Sequence, residues 1–286
     1  MQVLLDADII QYEVSFAAEA YWKYLHKERN QEISSVVPWE IVEDMLDGRI
    51  DEINEDAGGE GKPLLFFTGK NNYRHHLAKT QAYKDRESQR PFHYKNVKAY
   101  LQSRYDWNQV DWFEADDLLK LKNVEGDGFI IVSRDKDLHQ IPGMHYGWEV
   151  GKQPSFGPMR VTDKGFLKMG VGKTKKLIGG GEKFFYAQML LGDTVDNIPG
   201  VNGFGPVSTL VLLSNLEEVE EYRDTVFRVY EKAYGEKAMD RFLETGNLLR
   251  MSEEVNTDWS KVRLWNPFAS EPTWMEVKTG VLSENP

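Results

Sequence analysis

The sequence contains no cysteine, and this absence removes several kinds of chemistry at once. Disulfide bonds, thiolate zinc sites and cysteine nucleophiles are all excluded. Any metal bound by this chain must therefore be held by oxygen or imidazole ligands. Long apolar runs are absent too, since no segment approaches the roughly 18 consecutive apolar residues of a membrane span. We expect no membrane partner.

The chain has 286 residues, of which 41% are hydrophobic, enough for the core of one large domain or two small ones. Its first residues, MQVLLDADII, have neither a basic leader nor a small-residue cleavage site. These features predict a compact cytoplasmic protein, and we expect it to be a monomer.

The formal net charge of -11 is unfavourable for binding nucleic acid, because phosphates need Lys and Arg. The charges are unevenly distributed, however. Residues 40–60 are strongly acidic, whereas residues 70–104 are strongly basic. The average therefore hides a basic face that is typical of a nucleic-acid-binding protein.

Short apolar runs at residues 3–5, 64–67 and 129–132, each followed by a polar turn, predict buried parallel strands. The helical patterns between and after them cover 11–28, 38–47, 71–83, 94–105 and 114–122. We expect an α/β fold with a mostly parallel central sheet flanked by helices. The acidic helix before the loop 57–62 is interpreted as a solvated insertion.

The character of the chain changes near residue 150. Residues 151–183 are rich in Gly and Lys, 184–192 are apolar and helical, and 206–250 have the pattern of several helices. We therefore predict an α/β core over 1–150 and a helical region over 151–286, which includes a C-terminal tail of unclear role.

Acids stand in four places where a strand ends or a helix begins. Asp6 stands alone in the first place, and in the other three a spacing of i,i+2 or i,i+3 lets two carboxylates face one point. The predicted metal ligands are Asp6, Glu114, Asp116, Asp117, Asp135, Asp137, Asp193 and Asp196.

So many carboxylates in one cleft would repel one another unless a cation lay among them. Hard ions such as Mg²⁺ or Mn²⁺ prefer oxygen ligands, and two or more could act on a phosphodiester. Each acid alone has an ordinary alternative. Asp6 or Asp8 could cap a helix, and Asp135 or Asp193 could be a turn residue.

The motifs VLLDAD, FEADDLL, VSRDKDLHQI and GDTVDNIPGVNGFG together resemble the 5′ nucleases, the flap endonucleases and 5′→3′ exonucleases, most of all the small phage-encoded members. The resemblance spans about residues 1–215. It implies a metal-dependent enzyme that cuts DNA with 5′ ends or flaps, with RNA–DNA hybrids as a further substrate, in replication or DNA degradation. A phage-encoded chain would work in the host cytoplasm.

By the same resemblance, Asp6, Glu114, Asp116 and Asp117 form the first metal region, and the other four acids form the second. Some would act through water. Residues 70–105 resemble the family's basic helical arch. There Lys84 and Arg74 would contact the scissile phosphate, and Tyr83 would stack on a base or position it. Arg86 is a further DNA-binding candidate, one residue early for the family's pattern.

The glycines Gly200, Gly203 and Gly205 resemble those of the family's helix-three-turn-helix element, which approaches a duplex phosphate without reading sequence. In the family this loop also holds K⁺ through backbone carbonyls. An ordinary glycine loop between helices is the alternative.

One departure concerns the second strand, after which many family members carry an aspartate near the metals. This chain reads Phe67-Thr68-Gly69-Lys70, so the first metal site is expected to be weaker or differently hydrated.

Three other interpretations stay open to test. GVGKT at 170–174 resembles a P-loop but lacks a glycine where Leu167 stands and has no preceding apolar strand. A toxin-type metal-dependent RNase would share the acids and sheet but not the glycine element. A catalytically inactive DNA-binding protein would have the same fold without the nuclease activity. Ser/His/Asp hydrolysis is unsupported, because no nucleophile motif lies beside the histidines.

Overall fold

The computed structural model describes residues 1–28, 36–85, 89–124, 126–171 and 176–277. Its centre is a six-stranded sheet. The strands in chain order are β1 (Gln2–Asp6), β2 (Leu64–Thr68), β3 (Trp107–Val110), β4 (Phe129–Val132), β5 (Gly143–Gly147) and β6 (Phe156–Val161). They lie in the order β3-β2-β1-β4-β5-β6. All neighbours pair in parallel except β5 and β6.

Helices cover both faces of this sheet. They are α1 (Ala7–Glu28), α2 (Trp39–Asp56), α3 (Arg74–Leu77), α4 (Tyr94–Arg104) and α5 (Ala115–Asn123). Side chains alternate along β1, so Val3 and Leu5 face α1, α2 and α4, while Leu4 packs with Phe66 and α5 on the other face. This alternation places two apolar cores on opposite sides of one sheet.

The rest of the described chain is mostly helical. Its helices are α6 (Gly181–Leu191), α7 (Pro206–Leu213), α8 (Val219–Tyr234) and α9 (Ala238–Leu249), with 3₁₀ turns at Asp137–Gln140 and Gly235–Lys237. Short strand pairs accompany them, namely β7 (Phe166–Met169) with β8 (Leu177–Gly180), β9 (Gly192–Asp193) with β10 (Ile198–Pro199), and β11 (Lys261–Leu264) with β12 (Thr273–Glu276). A third apolar core, built around Phe185, Tyr230 and Phe242, joins α6, α8 and α9.

The predicted fold class, a mostly parallel sheet flanked by helices and followed by a helical region, is confirmed. The division near residue 150 stays a prediction. The sheet itself continues past that point through β6, and Val262 of β11 packs into the core beside α5 rather than among the later helices.

Two local predictions were wrong, and one strand was not predicted. The acidic segment before residue 57 is not a solvated insertion, because α2 buries Val42, Leu46, Ile50 and Ile53 completely. Its acids occupy the opposite face of an amphipathic helix.

The predicted helix over 71–83 is limited to the four residues of α3. The described residues of the basic segment between α3 and α4 form bends and turns, and the helical arch around 70–105 stays a prediction.

Strand β3 was not predicted, because WNQV lacks an apolar run and all four residues are only half-buried at the sheet edge. The P-loop-like segment begins in the turn of the β7–β8 hairpin. Antiparallel pairing there differs from the strand, loop and helix that a P-loop requires.

Candidate carboxylate site

The carboxyl ends of β1 and β4 bring the first acids together. Leu5 pairs with Val132, so Asp6 lies beside the loop that follows β4. Ser133 Oγ donates to Asp6 Oδ2 over 2.8 Å and accepts a hydrogen bond of 3.0 Å from the amide of Asp135. Parallel strands end at one edge, which is where open α/β sheets bind ligands.

Asp116, the second residue of α5, completes a group that we call the acidic cleft, formed by Asp6, Asp116 and Asp135. Burial, and then repulsion from Asp8 and Asp135, raises the pKa of Asp6 to about 7. Burial and Asp137 raise that of Asp135 to about 6. Burial followed by Asp135 and Asp6 raises the pKa of Asp116 well above its ordinary value. The three carboxylates thus share one strongly negative environment.

The donor set of the acidic cleft fits a hard divalent cation, since it offers carboxylate oxygens whose repulsion a cation would relieve. As the side chains stand in the described part of the chain, no three Asp, Glu or His groups have the spacing that would hold one ion. The structure therefore supports the chemistry of the metal site without giving its coordination geometry.

Lys84 lies at the edge of the acidic cleft. Its ammonium contacts Glu114 Oε1 and lies 3.7 Å from Asp196 Oδ1, with the side chain 42% exposed. Its backbone has a positive φ of 49° and its amide donates to Asp196 O over 3.0 Å. Although burial opposes ionisation most, Lys84 and then Arg74 keep the pKa of Glu114 below its ordinary value. Lys84 is thus positioned to meet an anion.

Tyr83 is buried beside Lys84 rather than exposed for stacking. Its hydroxyl donates to Glu114 Oε2 over 2.9 Å and to Asp196 Oδ2 over 3.1 Å. These bonds join the segment after α3 to both acid motifs. The contacts favour positioning over stacking on a base, and Arg86 lies outside the described residues.

Arg74 and Asp117 form the centre of a second group, which we call the buried ion-pair network. The guanidinium of Arg74 donates to both oxygens of Asp117 over 2.8 and 2.7 Å, and to Glu114 Oε2 over 3.2 Å. It also donates to Arg250 O over 2.8 Å, and Arg250 Nη2 in turn pairs with Glu182. Arg74 is 3% exposed and Asp117 is fully buried.

The partners of Asp117 and Arg74 bear on the roles predicted for these two residues. Asp117 also accepts hydrogen bonds from the amides of Glu114 and Ser252. Contact of Arg74 with a phosphate, or of Asp117 with an ion, would require breaking a two-bond pair inside the protein, which is costly. The geometry instead has them hold Glu114 and α5 in place. No observation tests their predicted roles directly.

The second set of acids is bridged by a lysine that the sequence analysis missed. Lys136 Nζ lies 2.9 Å from Asp137 Oδ1 and 2.8 Å from Asp193 Oδ2. Burial opposes ionisation of Asp193, but the Lys136 bond holds its pKa below the ordinary value. In Asp196, burial raises the pKa against the pull of Lys84. The Asp-Lys-Asp spacing was the available signal for Lys136.

The glycine loop lies between α6 and α7, joined to the site through β9 and β10. Gly200 is a packing glycine, because a Cβ there would lie 2.4 Å from the backbone of Leu191. Gly203 has a φ of +89°, and the Cβ positions of both Gly203 and Gly205 are open. The open glycines suit close approach of a phosphate to the start of α7. K⁺ binding and a helix-three-turn-helix element stay predictions.

One carboxylate was considered in the sequence only as a possible helix cap. Asp8 lies half-buried at the start of α1, and its Oδ2 accepts a hydrogen bond of 3.0 Å from the amide of Thr68 at the end of β2. The position of Asp8 two residues after Asp6 in VLLDAD was the sequence signal for it.

The fold and these side chains define an α/β protein whose sheet edge gathers oxygen ligands suited to hard divalent ions. No helix in the described ranges has the length and apolar character needed to cross a membrane. No family model matches the chain.

Two bacterial DNA polymerases I are similar to the chain in sequence. It is 26% identical over 267 residues to that of Bacillus subtilis (strain 168), an alignment covering 89% of this chain and 27% of the polymerase. It is 34% identical over 122 residues to that of Rhizobium leguminosarum, covering 41% of this chain and 10% of the polymerase. The chain thus spans about a quarter or less of the curated relatives it matches.

Solved structures share the fold. The bacteriophage T5 flap endonuclease in a pseudo-enzyme-product complex with DNA and metal ions superposes with a TM-score of 0.50 at 13% identity, over 87% of this chain and 94% of that chain. A T5 protein co-crystallised with metal ions also gives a TM-score of 0.50, at 12% identity over 86% and 88% of the two chains.

The chain therefore has the fold of the 5′ nucleases, and the resemblance carried by its four acidic motifs is confirmed. A special likeness to the phage-encoded members stays a prediction.

Proposed function

We propose that this chain is a metal-dependent nuclease that hydrolyses phosphodiester bonds in DNA with 5′ ends or flaps, as a 5′→3′ exonuclease or a flap endonuclease. The observation that carries this proposal is the acidic cleft. Three mutually repelling carboxylates on the carboxyl edge of a parallel sheet are costly for a merely structural protein. They are typical of a site that binds cations.

Within the proposal, Asp6, Asp116 and Asp135 hold one side of a divalent-ion site, and Asp137, Asp193 and Asp196 hold the other. Two Mg²⁺ or Mn²⁺ ions, when bound, would supply charge for activating water and stabilising the leaving oxygen.

The chain's own residues orient the substrate. The ammonium of Lys84, whose side chain is 42% exposed, attracts the scissile phosphate, because it stands at the edge of the cleft on a backbone fixed by Asp196. Tyr83 and Arg74 hold Glu114, and through it Lys84, in position. The open glycines before α7 would anchor the duplex part of the substrate through its backbone.

The relatives support a role for the proposed activity in replication, such as removal of 5′ flaps or RNA primers. Because the chain matches only about a quarter of the B. subtilis polymerase, polymerisation forms no part of the proposal. A monomer in the cytoplasm fits this role.

A cleavage assay tests the proposed reaction. A 5′-labelled flap, a blunt duplex and an RNA–DNA hybrid are incubated with the wild type, with Asp135→Ala and with Asp127→Ala, in Mg²⁺ and in EDTA. We expect flap cleavage only with Mg²⁺ and at least about 10³-fold slower with Asp135→Ala, since a metal site supplies several kcal/mol of transition-state stabilisation.

Asp127→Ala is the matched control, because Asp127 is exposed near the opposite end of β4. Equal rates for Asp135→Ala and the control would contradict the proposal. Cleavage confined to RNA strands would favour the toxin-type RNase, and flap binding without any cleavage would favour the inactive DNA-binding protein.

A further inference from the structure

Asp8 is a carboxylate beside the acidic cleft that the proposed function does not use. Its amide donates to Asp6 Oδ1 over 3.2 Å, so Asp6 and Asp8 lie close together, two residues apart, at the junction of β1 and α1. The side chain is half-buried rather than pointing freely into solvent.

Two fixed groups orient this carboxylate. Oδ2 accepts from the amide of Thr68, and Oδ1 accepts from Gln11 Nε2 over 3.2 Å. The carboxylate is therefore held by Thr68 and Gln11 and keeps acceptor capacity, since an ionised carboxylate offers about four lone-pair sites. Asp8 is held in place by hydrogen bonds and can still accept further ones.

The anchor connects Asp8 to the helix that carries Asp116. Thr68 ends β2, and its hydroxyl accepts a hydrogen bond of 3.0 Å from the amide of Ala115, the first residue of α5. Asp8, Thr68 and Ala115 thus link β1, β2 and α5 at the sheet edge. In this chain β2 ends in a neutral side chain, and an acid of α1, Asp8, is hydrogen-bonded to it.

A separate observation concerns Gln11, which is fully buried on α1. Its Nε2 binds Asp8 and Ala7 O, whereas its Oε1 has no donor in the part of the chain that the structure describes. A buried acceptor of this type is normally satisfied by an ordered water.

The charges around Asp8 are mixed. Asp6 and Glu114 repel it, while Lys98 of α4 attracts it. Lys98 is itself turned toward the Phe67 ring, 4.9 Å from its centroid. Burial raises the pKa of Asp8 above its ordinary value, although the hydrogen bonds from Thr68 and the attraction of Lys98 oppose this shift.

We propose that Asp8 is a positioning residue for the divalent ion on the Asp6 side, and supplies from α1 the negative charge that β2 lacks at Thr68. It would act through a water of the ion. This inference rests on the proposed function and adds a residue to its site.

The experiment moves the negative charge from the side chain at position 8 to the side chain at position 68, two residues that a hydrogen bond joins. The variants are Asp8→Asn, Thr68→Asp and the double variant. Asn at position 8 can still accept from the Thr68 amide, and Asp at position 68 can still accept from the Ala115 amide. Both changes alter charge while keeping the anchor. Asp106→Asn, at an exposed position before β3, is the matched control.

Mn²⁺ affinity is measured by calorimetry, and the unfolding midpoint is measured in EDTA. For Asp8→Asn we expect affinity to fall about 10–100-fold, as for other residues that act through the ligands of a metal, with the midpoint in EDTA unchanged or raised. The double variant should recover affinity to within a few-fold of the wild type, while Asp106→Asn should match it.

Wild-type Mn²⁺ affinity in Asp8→Asn would overturn the inference. So would a loss that Thr68→Asp does not reverse while the midpoint in EDTA falls, because that pattern identifies a structural role. If the wild type itself neither binds Mn²⁺ nor cuts a flap, the proposed function fails, and that result is distinct from a failure of Asp8 alone.

Discussion

Asp116 and Asp117 are neighbours on α5, yet they belong to two electrically different regions. Asp116 lies in the acidic cleft, where burial and the neighbouring acids raise its pKa. Asp117 lies in the buried ion-pair network, where Arg74 and two backbone amides overcome its burial and lower its pKa. The comparison teaches that one motif supplies both a reactive group and its support, because successive helical residues face different sides.

The largest expected difference is in activity. Asp116→Asn removes a charge that the proposed ions need, so we expect flap cleavage in Mg²⁺ to fall about 10³-fold or more. Stability in EDTA should stay the same or rise, since a repelling carboxylate is gone. Labelled-flap cleavage and urea unfolding check the two parts. Wild-type cleavage by Asp116→Asn would contradict the assignment of Asp116 to a reactive acidic cleft, and the contrast with the buried ion-pair network would then fail.

A second difference is in stability. Asp117→Asn leaves the guanidinium of Arg74 buried without its two-bond partner, and loss of one member of a buried pair costs about 3–5 kcal/mol. Urea unfolding in EDTA measures this free energy, with Asp116→Asn as the neighbouring control. Equal stability of the two variants would show that the network does not support the fold.

The smallest expected effect is a pH dependence of stability in EDTA. The pKa of Asp6 is raised to about 7 from an ordinary 3.8, so the folded state binds its proton more tightly than the unfolded state. Asp6 therefore makes folding progressively less favourable as pH rises from about 4 to about 7, by a few kcal/mol at most. Above that range its effect is constant.

Comparing the wild type with Asp6→Asn isolates this contribution from the many other titrating groups. The stability gained on substitution should grow between pH 4 and pH 7 in urea unfolding. A stability difference that does not change with pH would mean that the pKa of Asp6 is not raised in the cleft. Saturating Mg²⁺ should reduce the pH dependence of this difference.

Particular residues show how far sequence analysis reached. The apolar runs before Asp6 and Asp135 located two strands of the sheet, because a strand buried on both faces needs continuous apolar residues. Strand β3 escaped notice because an edge strand is only half-buried. The length of α2 was underestimated because its acids obscured a helical apolar stripe.

For the candidate site as well, some features could be predicted from the sequence and others could not. The motifs nominated the acids, but they could not distinguish Asp116 from Asp117, nor find that Lys136 joins Asp137 to Asp193. Arg74 looked like a surface cation in a basic segment. Its burial depends on Glu114, Asp117 and the carbonyl of Arg250, which are 40, 43 and 176 residues away along the chain.

The amino-acid sequence alone determined the periodicity of strands and helices, the absence of thiol chemistry and the supply of carboxylates near strand ends. These are local properties, set by the chemistry and spacing of nearby residues. Only the tertiary structure decided which acids pair with an arginine or lysine side chain and which face one another. Burial and charge neutralisation depend on partners from distant parts of the chain, and folding alone brings them within hydrogen-bonding distance.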